Sequence, residues 1–272
     1  GMDSRTILAA ARDIRSTVTF HTWRTEQSPS GHADILIASD LAERLGLNFR
    51  VFPLQRSMSA GFRKFYRSNV ASAGGHRQWG AWAERLLRRH LAGRVNVRGL
   101  GSEVGRLFYH ERWRGCSGGT TAERLGLVSG LGRSQFVTNS IEEWLDGIGC
   151  TMGYDLLDLF YWEQRLGSWA ARCHTEWDIV FDFFSPFNSR EVLELMLGTN
   201  PKYRKTPDDV LLKRIVEALW PEALFAPINP HKQPEFNRYK LTPLRDLKQY
   251  LAKSLTARLC PKVVGEHEEK LV

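Results

Sequence analysis

The sequence predicts an α/β protein, with a doubly wound parallel sheet built from residues 1–115 and a mostly helical C-terminal half, 116–272. Three observations predict it. In the first half, short β-branched and aromatic runs alternate with helix-length amphipathic stretches, the order of parallel βαβ units. After about residue 115 helical patterns dominate. The chain's 272 residues, 42% hydrophobic and 11% aromatic, are enough for one large domain or two modest ones around a buried core.

Residues 3–14 (DSRTILAAARDI) open on a capping Asp or Ser and continue with good helix formers. TVTFHTW, 17–23, is β-branched and aromatic and reads as a strand. Pro29-Ser30-Gly31 marks a turn. In 32–46 the residues Ile35, Ala38, Leu41, Ala42 and Leu45 share one helical stripe that ends at Gly46. Residues 48–54 and 94–98 are two further short strands, and 57–70 and 78–92 are basic, aromatic-rich helices. Beyond them, the glycine-rich stretches 115–119 and 126–134 read as loops. Helices are expected at 136–147, 153–173, 188–198, 207–219 and 243–258, with one extended piece near 178–183. Trp162 and Trp169, seven apart, fall on one buried stripe of the 153–173 helix. Residues 225–240 carry three prolines and read as a long loop, and 264–272 as a frayed end.

Composition excludes some classes and leaves others open. Lys and Arg number 38 against 30 Asp and Glu, a formal charge of +8. That favours an anionic partner, whether nucleotide, nucleic acid or acidic membrane surface. No run of about 18 apolar residues is available to span a bilayer. The first residues lack the basic and apolar regions of a signal peptide. Cys116, Cys150, Cys173 and Cys260 are scattered, with no CxxC pair, and read as reduced, inert thiols of a cytoplasmic protein. The eight histidines include no HxxxH pair, so no zinc site is expected.

Three segments could carry chemistry. Gly1-Met2-Asp3-Ser4 leads straight into a helix. Its backbone N–H groups and the Ser4 hydroxyl could hold a phosphate, and Asp3 could hold Mg²⁺; the alternative is a plain helix cap. Arg98-Gly99-Leu100-Gly101-Ser102-Glu103 follows a strand. Gly99 and Gly101 would let a nucleotide approach the backbone, and Glu103 could bind Mg²⁺ or cap the next helix; the alternative is a generic strand-to-helix turn. Lys232, in the proline-rich loop, is either a ligand contact or a solvated surface charge. The helix at 78–92 interleaves Arg85, Arg88 and Arg89 with Trp79 and Trp82. That pattern could bind nucleic acid, but an amphipathic helix with tryptophans in the core and arginines in water explains it more simply.

Several segments in one order resemble a known family. GMDSRTILAAARD is similar to the downstream part of the SGGxDS pyrophosphatase loop of N-type ATP pyrophosphatases, and the chain most resembles the synthetase domain of asparagine synthetases and β-lactam synthetases. TVTFHTW resembles their second strand, and Asp34, Ala38, Ala42, Leu45 and Gly46 fit the D-x3-A-x3-A-x2-LG helix after it. RGLGSEVGRLFYH resembles SGEGSDELFGGY, Pro186-Phe187-Asn188 stands where the family has PFLD, DDVLLKRIVEALWPEAL resembles the K-x-LLR-x-A helix, and HKQPEF resembles the K-x-x-F loop. The resemblance covers about residues 1–240 and implies an adenine nucleotide alpha hydrolase-like fold.

It also implies an ATP-dependent, AMP- and pyrophosphate-forming amide ligase that activates an unidentified carboxylate as an acyl-adenylate. Gly1, Asp3 and Ser4 carry over as pyrophosphate-loop residues, and Thr22, Gly99 and Gly101 as nucleotide-lining positions. Asp3 and Glu103 carry over as Mg²⁺ ligands, and Lys232 as the pyrophosphate-contacting lysine. The family's Ser-Gly and the apolar strand before it do not precede Gly1, so either an upstream segment supplies them or the fold compensates. Leu100 replaces the Glu of SGEG, and Asp209 replaces the lysine of K-x-LLR while Lys213 keeps a positive charge. A glutaminase activity would have to come from a separate domain or chain. Two alternatives remain beside the ligase: a degenerate nucleotide-binding or interaction protein of the same fold, and an ATP-dependent tRNA-modifying enzyme.

Overall fold

Among the described residues the strands form two pairs, both parallel. The computed structural model describes residues 1–24, 33–53, 57–70, 77–88, 93–151 and 153–228. They fall into two compact units, Arg15–Pro53 together with Phe225–Val272, and Gly1–Ile14 together with Leu54–Leu224.

The first of these contains a β-α-β unit. Strand β1 (Phe20–Arg24) pairs in parallel with β2 (Phe49–Pro53), in the register Phe20 opposite Phe49 and Thr22 opposite Val51. Helix α2 (Ala33–Leu45) crosses between them, as the apolar period predicts. Ile35, Leu41 and Ala42 of the expected stripe are buried, and Leu36 and Ile37 widen it. On the strands, His21, Trp23 and Phe52 form a ring cluster with centroids 4.9 to 5.7 Å apart.

In the other unit, α1 (Met2–Ala10) buries Met2, Leu8 and Ala9. It lies on α11 (Val210–Leu219) and the 3-10 turn Pro221–Leu224, where Arg5 donates to the Ala223 carbonyl at 2.9 Å. Ser59 caps α3 (Ala60–Asn69) and donates through its backbone N–H and hydroxyl to Glu84 of α4 (Arg77–Leu87), at 2.8 and 2.6 Å. Arg88 completes the shell of that buried carboxylate at 2.7 Å. Trp82 meets the ring of buried Trp177 edge-on, so α4 turns a tryptophan inward while Arg88 stays in solvent. Strand β3 (Val95–Val97) pairs in parallel with β4 (Asp182–Phe184), which arises from the extended piece expected near 178–183.

Several expectations need correction. Residues 126–134 are not all loop: α6 (Thr121–Ser129) runs through Gly126 and packs on α7 (Gln135–Ile148). Thr120 and Glu123 form a capping box that starts α6, and α5 (His110–Gly115) precedes it. A Cβ at Gly126 would sit 2.3 Å from the Gly132 carbonyl oxygen, so this glycine serves close packing and not chain freedom. The 153–173 stretch is not one α-helix. It comprises α8 (Leu156–Phe160), a π-helical segment (Tyr161–Ala170) and α9 (Ala171–Thr175). The wider π turn breaks the seven-residue stripe, and Trp169 is 42% exposed. Strand β4 begins later than expected because Trp177 to Val180 form turns. The expected helix at 243–258 and Lys232 lie outside the described residues. Among the described residues no helix is long and apolar enough to cross a membrane.

A buried ion pair joins the helical layers. Arg204, 3% exposed, donates to Asp158, 2% exposed, at 2.5 Å and to the Val104 carbonyl at 2.7 Å. Helix α10 (Arg190–Gly198) supplies a third acceptor, the Leu197 carbonyl. Removing one partner strands a charge. Arg204→Met is expected to lower stability by about 3–5 kcal/mol in urea unfolding, and the double variant Asp158→Leu/Arg204→Met by less than that.

Candidate functional site

The turn after β3 is where distant segments of the sequence meet. Gly99 lies against the first turn of α1: a Cβ there would fall 2.7 Å from the Asp3 carbonyl oxygen. Gly101 has φ +98°, a left-handed conformation that disfavours a side chain, and a Cβ there would fall 3.2 Å from the Phe187 Cβ. Between them, the Leu100 carbonyl accepts from the Ser185 hydroxyl. The glycines therefore clamp the turn between the start of α1 and the Ser185-Pro186-Phe187 segment. A short 3-10 helix, Ser102–Arg106, follows in place of the expected α-helix start.

This clamp brings a charged cluster together. Asp3 accepts from the Ser102 hydroxyl at 2.5 Å and, through both oxygens, from Arg106 Nη1 at 2.9 Å. Arg106 Nε donates to Asp209 at 3.0 Å. The Asp209 side chain is 3% exposed against 26% for Asp3 and 16% for Arg106, so the bridge runs from a buried carboxylate to an accessible one. Burial would lower the Arg106 pKa, but the two carboxylates outweigh it and hold the guanidinium charged. Burial raises the Asp209 carboxyl, and Arg106 opposes that shift. Glu103 accepts from the Gly101 backbone N–H at 2.9 Å. Burial pushes its pKa up, and the neighbouring Asp3 charge pushes the same way. Arg98, at the end of β3, lies over the rings of Trp177 and Phe183 at 5.2 and 5.4 Å and pairs with no carboxylate among the described residues.

Of the residues singled out in the sequence, Asp3, Gly99, Gly101 and Glu103 come together here. Gly1 is the N-cap of α1, which has no side-chain cap, and Ser4 is exposed in its first turn. Thr22 belongs to the other unit, on β1 opposite Val51. Lys232 is outside the described residues. Ser102 and Arg106 were not singled out. Their contacts with Asp3 span 99 and 103 residues of chain, and neither periodicity nor local spacing reports such a pairing.

Donor chemistry decides what could be held. Asp3 and Glu103 offer hard carboxylate oxygens of the kind Mg²⁺ takes, and both Asp3 oxygens are engaged by Arg106. A second group, His110, Asp155 and Asp158, places candidate ligand atoms within 4.8 Å of one another. Its atoms have structural work: Asp155 caps α8 through the Leu157 and Asp158 N–H groups and meets His110 Nε2 at 3.2 Å, while Asp158 holds Arg204. A cavity of about 470 Å³ lined by Trp144, Tyr154, Trp162 and Arg190 includes none of the Asp3 cluster. Cys116 is half-buried and Cys173 buried, both as free thiols, and Cys150 is exposed. Comparison with family models, curated proteins and solved structures finds no match for this chain.

The raised Glu103 pKa has a stability consequence. The folded state binds this proton more tightly than the unfolded state, so ionising Glu103 erodes stability as pH climbs from the ordinary glutamate range through its folded value. Glu103→Gln, whose amide oxygen can still accept from Gly101, is expected to be more stable than the parent near pH 7. The difference should close as pH falls below the ordinary glutamate range, as read by urea unfolding across pH.

Proposed function

We propose that this chain is an ATP-dependent, AMP- and pyrophosphate-forming amide ligase that activates a carboxylate as an acyl-adenylate. The observation that carries the reading is the convergence of three segments that resemble one family's nucleotide site: the start of α1, the glycine turn after β3, and Ser185-Pro186-Phe187. They are far apart in sequence, and packing alone does not require those three to meet. The position of the cluster, beyond the carboxyl end of a parallel strand, is where α/β proteins bind ligands.

In this reading N–H groups at the start of α1 and the exposed Ser4 hydroxyl donate to phosphate oxygens. Gly99 and Gly101 keep the turn free of side chains, so the nucleotide can approach the backbone. Asp3 and Glu103 would hold Mg²⁺, which supplies neutralisation of phosphate charge. Arg106 holds the Asp3 carboxylate in place and keeps its own charge beside the phosphates. The resemblance alone gives Thr22 a nucleotide-lining role and Lys232 a pyrophosphate-contacting one. Leu100 offers no proton acceptor, so deprotonation of the attacking amine falls to another group.

A second reading is nucleotide binding without turnover. It is favoured by one observation: both Asp3 oxygens already accept from Arg106, and one also from Ser102. Calorimetric titration of Mg-ATP into the chain and into Asp3→Ala, with thermal unfolding as a control for folding, tests the shared premise. The ligase reading expects binding that weakens at least tenfold in the variant, about 1.4 kcal/mol, and pyrophosphate release when a panel of carboxylates is added. Binding with no pyrophosphate release from any of them supports the second reading. Absence of Mg-ATP binding to the parent chain overturns both.

A further inference from the structure

The cavity of about 470 Å³ has three aromatic residues in its wall: Trp144 of α7, Tyr154 of the loop after it, and Trp162 of the π-helical segment. Its size suits a small organic molecule. An indole has one donor and no acceptor, and Trp144 gives its N–H to Glu163 at 2.8 Å. The same ring packs edge-on against buried Phe160, with centroids 5.1 Å apart. These two contacts fix the Trp144 ring in the wall.

Three charged side chains share that wall: Glu163, Arg190 and Glu194. Arg190 Nε donates to Glu194 at 2.9 Å, one turn along α10, so these two charges offset each other. Glu163 has a neutral partner, the indole, on its Oε2. Arg165, the cation of the same segment, lies instead over the Trp169 ring, 3.8 Å from its centroid. Among the described residues no cation pairs with Glu163. The cavity therefore combines aromatic surface with one carboxylate whose charge nothing in the wall offsets. An aromatic ring attracts a cation, and a carboxylate accepts strongly from charged N–H groups. An anion would meet two carboxylates and an arginine already engaged.

We infer that this cavity binds an organic cation, an amine or guanidine carried on an apolar or aromatic body. Glu163 accepts from its N–H groups, and Trp144 and Trp162 supply ring surface for the body and the charge. The cavity includes none of the Asp3 cluster, so the inference does not require that the chain bind a nucleotide.

The test uses three probes of similar shape: phenethylamine, uncharged 2-phenylethanol and anionic 3-phenylpropionate. Each is titrated calorimetrically into the parent chain, Glu163→Gln, Trp162→Leu and Arg190→Gln, with thermal unfolding of every variant as a control for folding. The inference expects phenethylamine to bind at one site, at least tenfold more tightly than either analogue. Glu163→Gln, whose amide oxygen can still accept from Trp144, should weaken the amine at least tenfold, and Trp162→Leu at least threefold. Arg190 is 87% exposed, so its removal spares the fold and leaves Glu194 without its partner. Arg190→Gln should therefore tighten amine binding at least twofold, whereas a site for anions would lose affinity. Cys150 is exposed in the same wall and reports location: saturating amine should slow its alkylation by iodoacetamide at least threefold, read by peptide mass spectrometry. Asp3→Ala should bind the amine as the parent does even if it loses Mg-ATP, so the two readings can fail separately. No binding of the amine, preference for phenylpropionate, equal affinity in Glu163→Gln, or unchanged alkylation of Cys150 would each overturn the inference.

Discussion

One guanidinium ties the candidate site together. Arg106 reaches Asp3 at the start of α1 and Asp209 at the start of α11, and each contact closes 103 residues of chain. Asp209 is nearly inaccessible, adopts a left-handed backbone with φ 47°, and caps α11 without a side-chain bond to it. An isolated carboxylate in that place would be costly to ionise. Arg106 offsets that cost and in doing so fixes where the first turn of α1 lies against the glycine turn. Glu103, Ser102 and the Phe187 segment then take their positions from that contact. A bridge of this kind contributes modestly to net stability, but it specifies which ends of which elements are neighbours.

Local pattern made much of the architecture legible. The apolar stripe of α2 and the aromatic runs on either side of it predict a β-α-β unit, and the parallel register of Phe20 with Phe49 is that unit. The 136–147 period gives α7 almost to its ends because Ser134 caps it and Gly149 ends it. Composition misled where glycine was read only as a chain breaker. Gly126 sits inside α6 because a neighbouring carbonyl leaves no room for a side chain, and that neighbour is known only once α6 and α7 have packed. The π turn was illegible for a similar reason, since a 3.6-residue period is the assumption used to read helices at all.

The candidate site divides the same way. Asp3, Gly99, Gly101 and Glu103 stood out because their residue types sit at the ends of predicted elements, where backbone groups and carboxylates can meet a ligand. Arg106 did not stand out, being an arginine in a basic chain, and Asp209 did so only as the residue in place of the K-x-LLR lysine. Their meaning comes from pairing across the fold.

The π segment has a consequence for how this protein tolerates change. An α-helix turns by about 100° per residue, and a π-helix, bonding one residue further along, turns by less. Tyr161–Ala170 therefore stores surplus length relative to an α-helix of the same span. The bearing of Arg165 relative to Tyr161, and of α9 relative to α8, is encoded in how many residues lie between them as much as in which residues they are. A deletion of a single residue there would let the backbone relax to ordinary helix with every side chain intact, while turning Arg165 away from its neighbours. Scanning by substitution alone would be blind to that determinant; it takes a change in chain length to expose it.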